Sequence, residues 1–158
     1  MSGLGASPGG RGFAVATRTA NAHWEGPLMG GKGTVSLDSS ISGSFDVSWP
    51  ARTESPQGLT SPEELIAAAH ASCYSMALSN ELAKAGYPPL ALDTRADVSI
   101  NPAQGGGWAI NDILITVRGN VDGMSPQEFQ QIAEGAKTGC PVSKALTGTT
   151  IRLDAALA

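Results

Sequence analysis

The chain of 158 residues reads as one α+β domain, and three observations carry that reading. Two stretches, Ser61-Pro62-Glu63-Glu64 and Ser125-Pro126-Gln127-Glu128, have the form of a helix start: Ser as N-cap, Pro at N1 and Glu at N3. Runs of apolar residues alternating with polar ones lie before, between and after them, as half-buried strands do. The resulting order is strands, long helix, strands, helix, strand. That is a segregated α+β arrangement rather than an alternating βαβ one, with antiparallel sheets packed on a long central helix as its expected form.

Taken in order, the first twelve residues hold five glycines, a proline and two serines. So little apolar surface does not offset the entropy of ordering, and a disordered tail over residues 1–12 is expected before a single domain over residues 13–158. Strands are expected over Phe13 to Ala22, Gly33 to Leu37 and Ser44 to Trp49, separated by turn clusters such as Pro27 to Lys32. The first helix should run from Pro62 to Ala85 and stop at Gly86 and the Pro88-Pro89 pair. Ile66, Ala69, Cys73, Met76 and Ala77 form one stripe on it, and Leu65, Ala68, Ser72 and Tyr74 widen that stripe. A helix so poor in charge is expected to be buried on more than one side. Leu92, Thr94, Ala96, Val98 and Ile100 alternate with polar neighbours, and Ile113, Ile115 and Val117 mark a second strand of this group. The second helix runs from Pro126 to Thr138 with Phe129, Ile132, Ala133 and Ala136 inward. Gly139 breaks it before Cys140-Pro141, Val142 to Leu146 can form one more turn, and Ile151, Leu153, Ala155 and Leu157 make the last strand.

Composition excludes several classes of function. Ten basic and fourteen acidic side chains leave a formal charge of −4, with no basic face for nucleic acid. The longest uninterrupted apolar run is Leu65 to Ala69, against the ~20 residues a membrane span needs. No basic segment precedes an apolar one at the N-terminus, and two cysteines cannot form a secreted disulfide framework. A cytoplasmic domain without nucleic-acid or membrane partners is expected.

The two thiols are the residues to explain. Cys73 falls mid-helix, where a small core hydrophobe is one reading and a reactive thiol another. Cys140 becomes an N-cap if Pro141 is N1, and the helix dipole there favours a thiolate. On electrostatics alone Cys140 is the more reactive of the pair. His70 stands three residues before Cys73 on the same helical face, as a base toward the thiol, a first metal ligand, or a histidine bonded to a structural partner. A metal would need three or four ligands, and the only other histidine is His23. Glu64 reads as the capping residue and leaves Glu63 free. Glu63 precedes Cys73 by ten residues, which is roughly 15 Å along a straight helix. Cooperation between them requires a bend, an intermediary or a second subunit.

The segment Ser61-Pro62-Glu63-Glu64-Leu65-Ile66-Ala67-Ala68-Ala69-His70-Ala71-Ser72-Cys73-Tyr74-Ser75-Met76-Ala77-Leu78-Ser79 resembles the signature of the OsmC/Ohr family. Gly139-Cys140-Pro141-Val142-Ser143 resembles its second cysteine motif. Ala22-His23-Trp24-Glu25-Gly26 and Gly31-Lys32-Gly33-Thr34-Val35 resemble the N-terminal hairpin of its OsmC branch. The resemblance implies a thiol peroxidase acting on organic hydroperoxides, with an α+β fold assembled as an intertwined homodimer and its active sites at the subunit interface. It implies Cys73 as the peroxidatic cysteine, Cys140 as the resolving one and Glu63 as the active-site glutamate. Arg52 matches the activating arginine best, with Arg18 as the alternative. A relay from Glu63 through Arg52 to Cys73, with one member crossing the interface, would bridge the separation along the helix. An external dithiol of the lipoyl type would reset the disulfide, and no flavin, haem or metal is implied. Two other classes remain: a redox sensor or binding module without turnover, and a metal-dependent hydrolase built on His70, Cys73, Cys140 and His23.

Overall fold

The computed structural model describes residues 15–158. The expected tail over residues 1–12 and the start of the expected first strand at Phe13 lie outside them. Strands β1 (Asn21–Glu25), β2 (Lys32–Ser36) and β3 (Ser44–Val47) form an antiparallel sheet in the order β1-β2-β3. β1 thus begins later than expected, and residues 15–20 approach it as irregular chain. β3 ends at Val47 rather than Trp49, because Ser48 leaves the strand to cap a short helix, α1 (Trp49–Thr53). Its hydroxyl accepts the Ala51 N–H at 3.2 Å, and Pro50 sits in the first turn, where its missing N–H costs nothing.

Helix α2 spans Pro62–Lys84. Ser61 Oγ accepts the Glu64 N–H at 3.1 Å, but the Glu64 carboxylate accepts from the Thr60 hydroxyl at 2.5 Å instead of returning to Ser61. Only half of the expected capping box forms here. Both halves form at Ser125 and Glu128, which open α3 (Pro126–Gly139). α2 ends where expected: Gly86 takes φ 89°, so that the Tyr87 N–H reaches Leu82 O at 2.9 Å and the Gly86 N–H reaches Ala83 O at 3.0 Å. That left-handed position is the reason for glycine there.

The second sheet has the order β4-β5-β6, from Ala91–Pro102, Trp108–Asn120 and Thr150–Leu157. β4 and β5 pair antiparallel, and β5 and β6 pair parallel. The α+β class stands, with one parallel pairing where antiparallel sheets were expected. α3 and the one-turn helix α4 (Pro141–Ala145) carry the chain back across the sheet, which makes the return parallel.

Tyr74, Leu78 and Leu82 of α2, Ile113, Ile115 and Val117 of β5, and Phe129, Ala133 and Ala136 of α3 build the core. Gly119 lets β5 approach α3, since a Cβ there would lie 2.6 Å from the Phe129 ring. The buried line of α2 is therefore His70, Tyr74, Leu78 and Leu82, and of the expected stripe with its widening residues only Tyr74 lies on it. Met76 is 71% exposed and Ala69 is exposed, while Ile66, Cys73 and Ala77 are half-buried. A helix apolar on nearly every side has no single direction to its periodicity, and the chain buries the face with the larger side chains. The opposite apolar face stays open, as do Trp24 and Phe45 on the first sheet, each 41% exposed.

Candidate active site

Two clusters hold the residues singled out above. The first is built where α1 meets the start of α2. The short helix aims Arg52 at Glu63: Nε lies 3.0 Å from Oε1 and 3.2 Å from Oε2, and Nη2 lies 2.8 Å from Oε1. Glu63 is 6% exposed, so this carboxylate is held in protein by a planar, two-pronged donor. The guanidinium carbon also stands 5.6 Å from the centre of the Trp49 ring, which meets Trp108 edge-on at 5.9 Å between centroids. Nη1 of Arg52 makes no hydrogen bond among the described residues and is left for another partner. An apolar hollow of about 380 Å³ lies beside it, walled by Trp24, Leu28, Val47, Trp49 and Pro62. Arg18 is exposed, and its Nη1 donates to the neighbouring Thr17 carbonyl at 2.9 Å.

The second cluster lies where α4 packs on the middle of α2. Cys73 and Cys140 are both free thiols and are neighbours, Cys73 packing against the buried cluster that holds Cys140. Cys73 is half-buried, and Cys140 is wholly buried. Cys140 is the N-cap of α4 with Pro141 at N1, although its side chain closes no cap hydrogen bond of its own. Burial pushes the Cys140 thiol up, but the polar groups around it outweigh burial and hold its pKa below the ordinary thiol value. Those groups are the Ser143 N–H, the Cys73 thiol, the Ser143 hydroxyl and the Val142 N–H. Cys73 is raised, first by burial and then by the neighbouring Cys140 sulfur, with the Val142 N–H opposing. Within one chain Cys140 is therefore the thiol that ionises more readily. Cys73, the more accessible sulfur, has no cation beside it among the described residues.

His70 and Ser143 stand beside the thiols, with His70 Nε2 2.8 Å from Ser143 Oγ. Burial lowers the His70 pKa and keeps the ring neutral. Of the three readings of His70, the structural partner is the one observed. His23 is exposed and faces Glu25 at 3.2 Å. Among the described residues, no three His, Cys, Asp or Glu side chains converge as metal ligands.

The sequence reading did not pair His70 with Ser143, nor Arg52 with Trp49. A signal for the first pairing existed: His70 and Cys73 are three apart on α2, and Cys140 and Ser143 are three apart across the start of α4. When Cys73 meets Cys140 with the chains running oppositely, the other two residues meet as well.

An α+β domain with two neighbouring free thiols on packed helices, and a carboxylate-held arginine beside an apolar hollow, defines a thiol-based redox protein. The profile of the family described as OsmC-like protein matches residues 55–154, and the chain belongs to that family. It is 44% identical over 129 residues to the peroxiredoxin OsmC of Escherichia coli strain K12, a match covering 82% of this chain and 89% of the relative. It is 30% identical over 105 residues to the organic hydroperoxide resistance protein OhrB of Bacillus subtilis strain 168, covering 66% and 74% of the two chains. The crystal structure of that OhrB superposes with a TM-score of 0.67 over 89% of this chain and 98% of the other, at 24% identity. An organic hydroperoxide resistance protein OsmC from Legionella pneumophila gives a TM-score of 0.69 over 92% and 98%, at 21% identity. No helix among the described residues is long and apolar enough to cross a membrane.

Proposed function

We infer that the protein is a cysteine-based peroxidase that reduces organic hydroperoxides to alcohols. The observation that carries this is the juxtaposition of a half-buried Cys73 and a buried Cys140, both reduced, in a chain belonging to the OsmC-like family. The Cys73 thiolate attacks the distal peroxide oxygen; the O–O bond breaks, the alkoxide leaves and takes a proton, and Cys73 becomes a sulfenic acid. The Cys140 thiolate then attacks the Cys73 sulfur, hydroxide leaves as water, and the disulfide closes. An external dithiol, of the lipoyl type by family resemblance, reopens it through a mixed disulfide and is itself oxidised to a disulfide. Two free thiols fit a reducing compartment such as the cytoplasm.

Accessibility favours Cys73 as the sulfur that meets peroxide, and the missing element is a positive charge beside it. Arg52 is the candidate, fixed by Glu63 and carrying an unpartnered Nη1. In one chain Arg52 is bound at the first turn of α2, and Cys73 lies ten residues further along that continuous helix. A homodimer in which Arg52 of one protomer reaches Cys73 of the other supplies the cation. The exposed apolar face of α2 and the uncovered first sheet support such an assembly. The hollow beside Arg52 would then receive the organic group of the peroxide.

The reading is tested by thiol loss in a single turnover, comparing an alkyl hydroperoxide with hydrogen peroxide. Fast loss of both thiols is expected with the alkyl peroxide. Cys73→Ser should abolish it, while Cys140→Ser should lose one thiol and stop at sulfenic acid. Loss at the rate of a free thiol with both oxidants would rule the peroxidase out.

A further inference from the structure

His70 is wholly buried and the peroxidase cycle described above does not use it. Its Nδ1 is also buried and has no partner among the described residues. A buried N–H without an acceptor is rarer and costlier than a lone pair without a donor, so the ring hydrogen belongs on Nε2. Nε2–H then donates to Ser143 Oγ across their 2.8 Å separation. That leaves the serine proton free to point elsewhere, and Ser143 is the third residue of the turn that Cys140 caps, which makes the Cys140 thiol its neighbour on α4. Ser143 is 5% exposed and Cys140 is 0% exposed, so the three groups form one enclosed polar string within an apolar core.

We propose that Ser143 is a positioning residue for the resolving step, oriented by His70, with Nε2–H donating to Oγ and Oγ–H donating to the Cys140 thiolate. The inference rests on the resolving role given to Cys140 above. A thiolate held this way presents its remaining lone pairs to Cys73. On attack the S–O bond of the Cys73 sulfenic acid breaks, Cys73 is reduced and Cys140 is oxidised. The departing hydroxide takes up a proton equivalent to the one Cys140 released when it ionised. Ser143 keeps its proton throughout.

The ionisable groups facing this string are Cys73 and Tyr74 from α2, and burial, with the charge of the exposed Glu134 of α3 second, holds the Tyr74 phenol neutral. The first test follows Cys140 ionisation by ultraviolet thiolate absorbance against pH, in a Cys73→Ser background. Adding Ser143→Ala or His70→Leu should raise its titration by roughly one pH unit, the size expected for one lost hydrogen bond to an anion. Ser143→Thr and His70→Gln, which keep the donors, should restore it. The second test mixes the otherwise unaltered protein with one equivalent of cumene hydroperoxide. Ser143→Ala should lower the ratio of disulfide closure to sulfenic acid formation about tenfold, with the sulfenic acid trapped by a dicarbonyl probe. A Ser143→Ala protein that melts lower but titrates Cys140 unchanged would overturn the proposal and leave a structural pin between α2 and α4. If the unaltered protein forms no sulfenic acid, the peroxidase reading fails, while the titration still reports on the string by itself.

Discussion

At the scale of single residues, the site divides its labour between a sulfur that is reachable and a sulfur that is electrostatically favoured. Cys140 has the polar surroundings at the start of α4, and Cys73 has the exposure. On the proposed mechanism, chemistry at Cys73 depends on how Arg52 is held. Its Nε and Nη2 are committed to Glu63, so the guanidinium is fixed in direction while Nη1 stays available. Lysine cannot reproduce a two-pronged grip and still offer a third donor. Arg52→Lys should slow Cys73 oxidation by roughly 100-fold, the cost of losing one preorganised donor at a developing charge. Glu63→Gln should slow it in the same direction with the fold intact, because an amide offers Arg52 one acceptor in place of two. Single-turnover thiol loss with an alkyl hydroperoxide reads both. Unchanged rates in both variants would remove the pair from the mechanism.

At the scale of elements, the contact of α2 with α4 has a signature in stability as well as in chemistry. Burial depresses the folded-state pKa of His70, so below the unfolded value of about 6.5 the unfolded chain binds a proton that the folded chain refuses. Stability is then full above that value and declines as pH falls toward the folded pKa, by at most about 1.4 kcal/mol per pH unit for one proton. Asp112 and Asp154 lose their contributions only at lower pH, because Arg152 and Arg118 hold their carboxyls below the ordinary range. Melting temperature should fall between pH 7 and pH 5.5, and His70→Gln should flatten that slope; an equal slope in both proteins would place the titration elsewhere. The contact of β5 with α3 is steric instead, and Gly119→Ala should cost about 1–3 kcal/mol in chemical denaturation as the new Cβ meets Phe129. What the sequence could disclose at this scale follows from the range of the forces. Ser61, Ser125 and Gly86 act within a turn, so the bounds of α2 and α3 are legible. Whether Glu64 returns to Ser61 or turns to Thr60, whether β6 runs parallel, and which side of α2 is inward depend on distant partners. The same contrast holds in the site. Both cysteine motifs and Glu63 are visible in the chain, whereas the short helix that aims Arg52 is hidden by a Trp49 that reads as the end of a strand.

At the scale of the whole molecule, one protomer does not bring its own Arg52 to its own Cys73, and the proposed mechanism therefore calls for a second. The continuous α2 separates Glu63 from Cys73 by roughly 15 Å along its axis, and Arg52 is anchored at the Glu63 end. A two-fold axis beside the exposed face of α2 would bring the start of one helix near the middle of the other, since a symmetric pair presents the same patch twice. Met76→Glu, on that face, should then halve the particle mass in light scattering and remove peroxidase activity with it. Complementation decides the matter more directly. Cys73→Ser and Arg52→Met proteins are each expected to be inactive as homodimers. A mixed dimer, formed by unfolding and refolding the two together, joins an intact Arg52 on one protomer to an intact Cys73 on the other. If the arginine acts across the interface, random reassortment should return roughly a quarter of the unaltered activity, because half the dimers are mixed and each has one complete site. If it acts within its own chain, no dimer in the mixture has a complete site and activity stays absent.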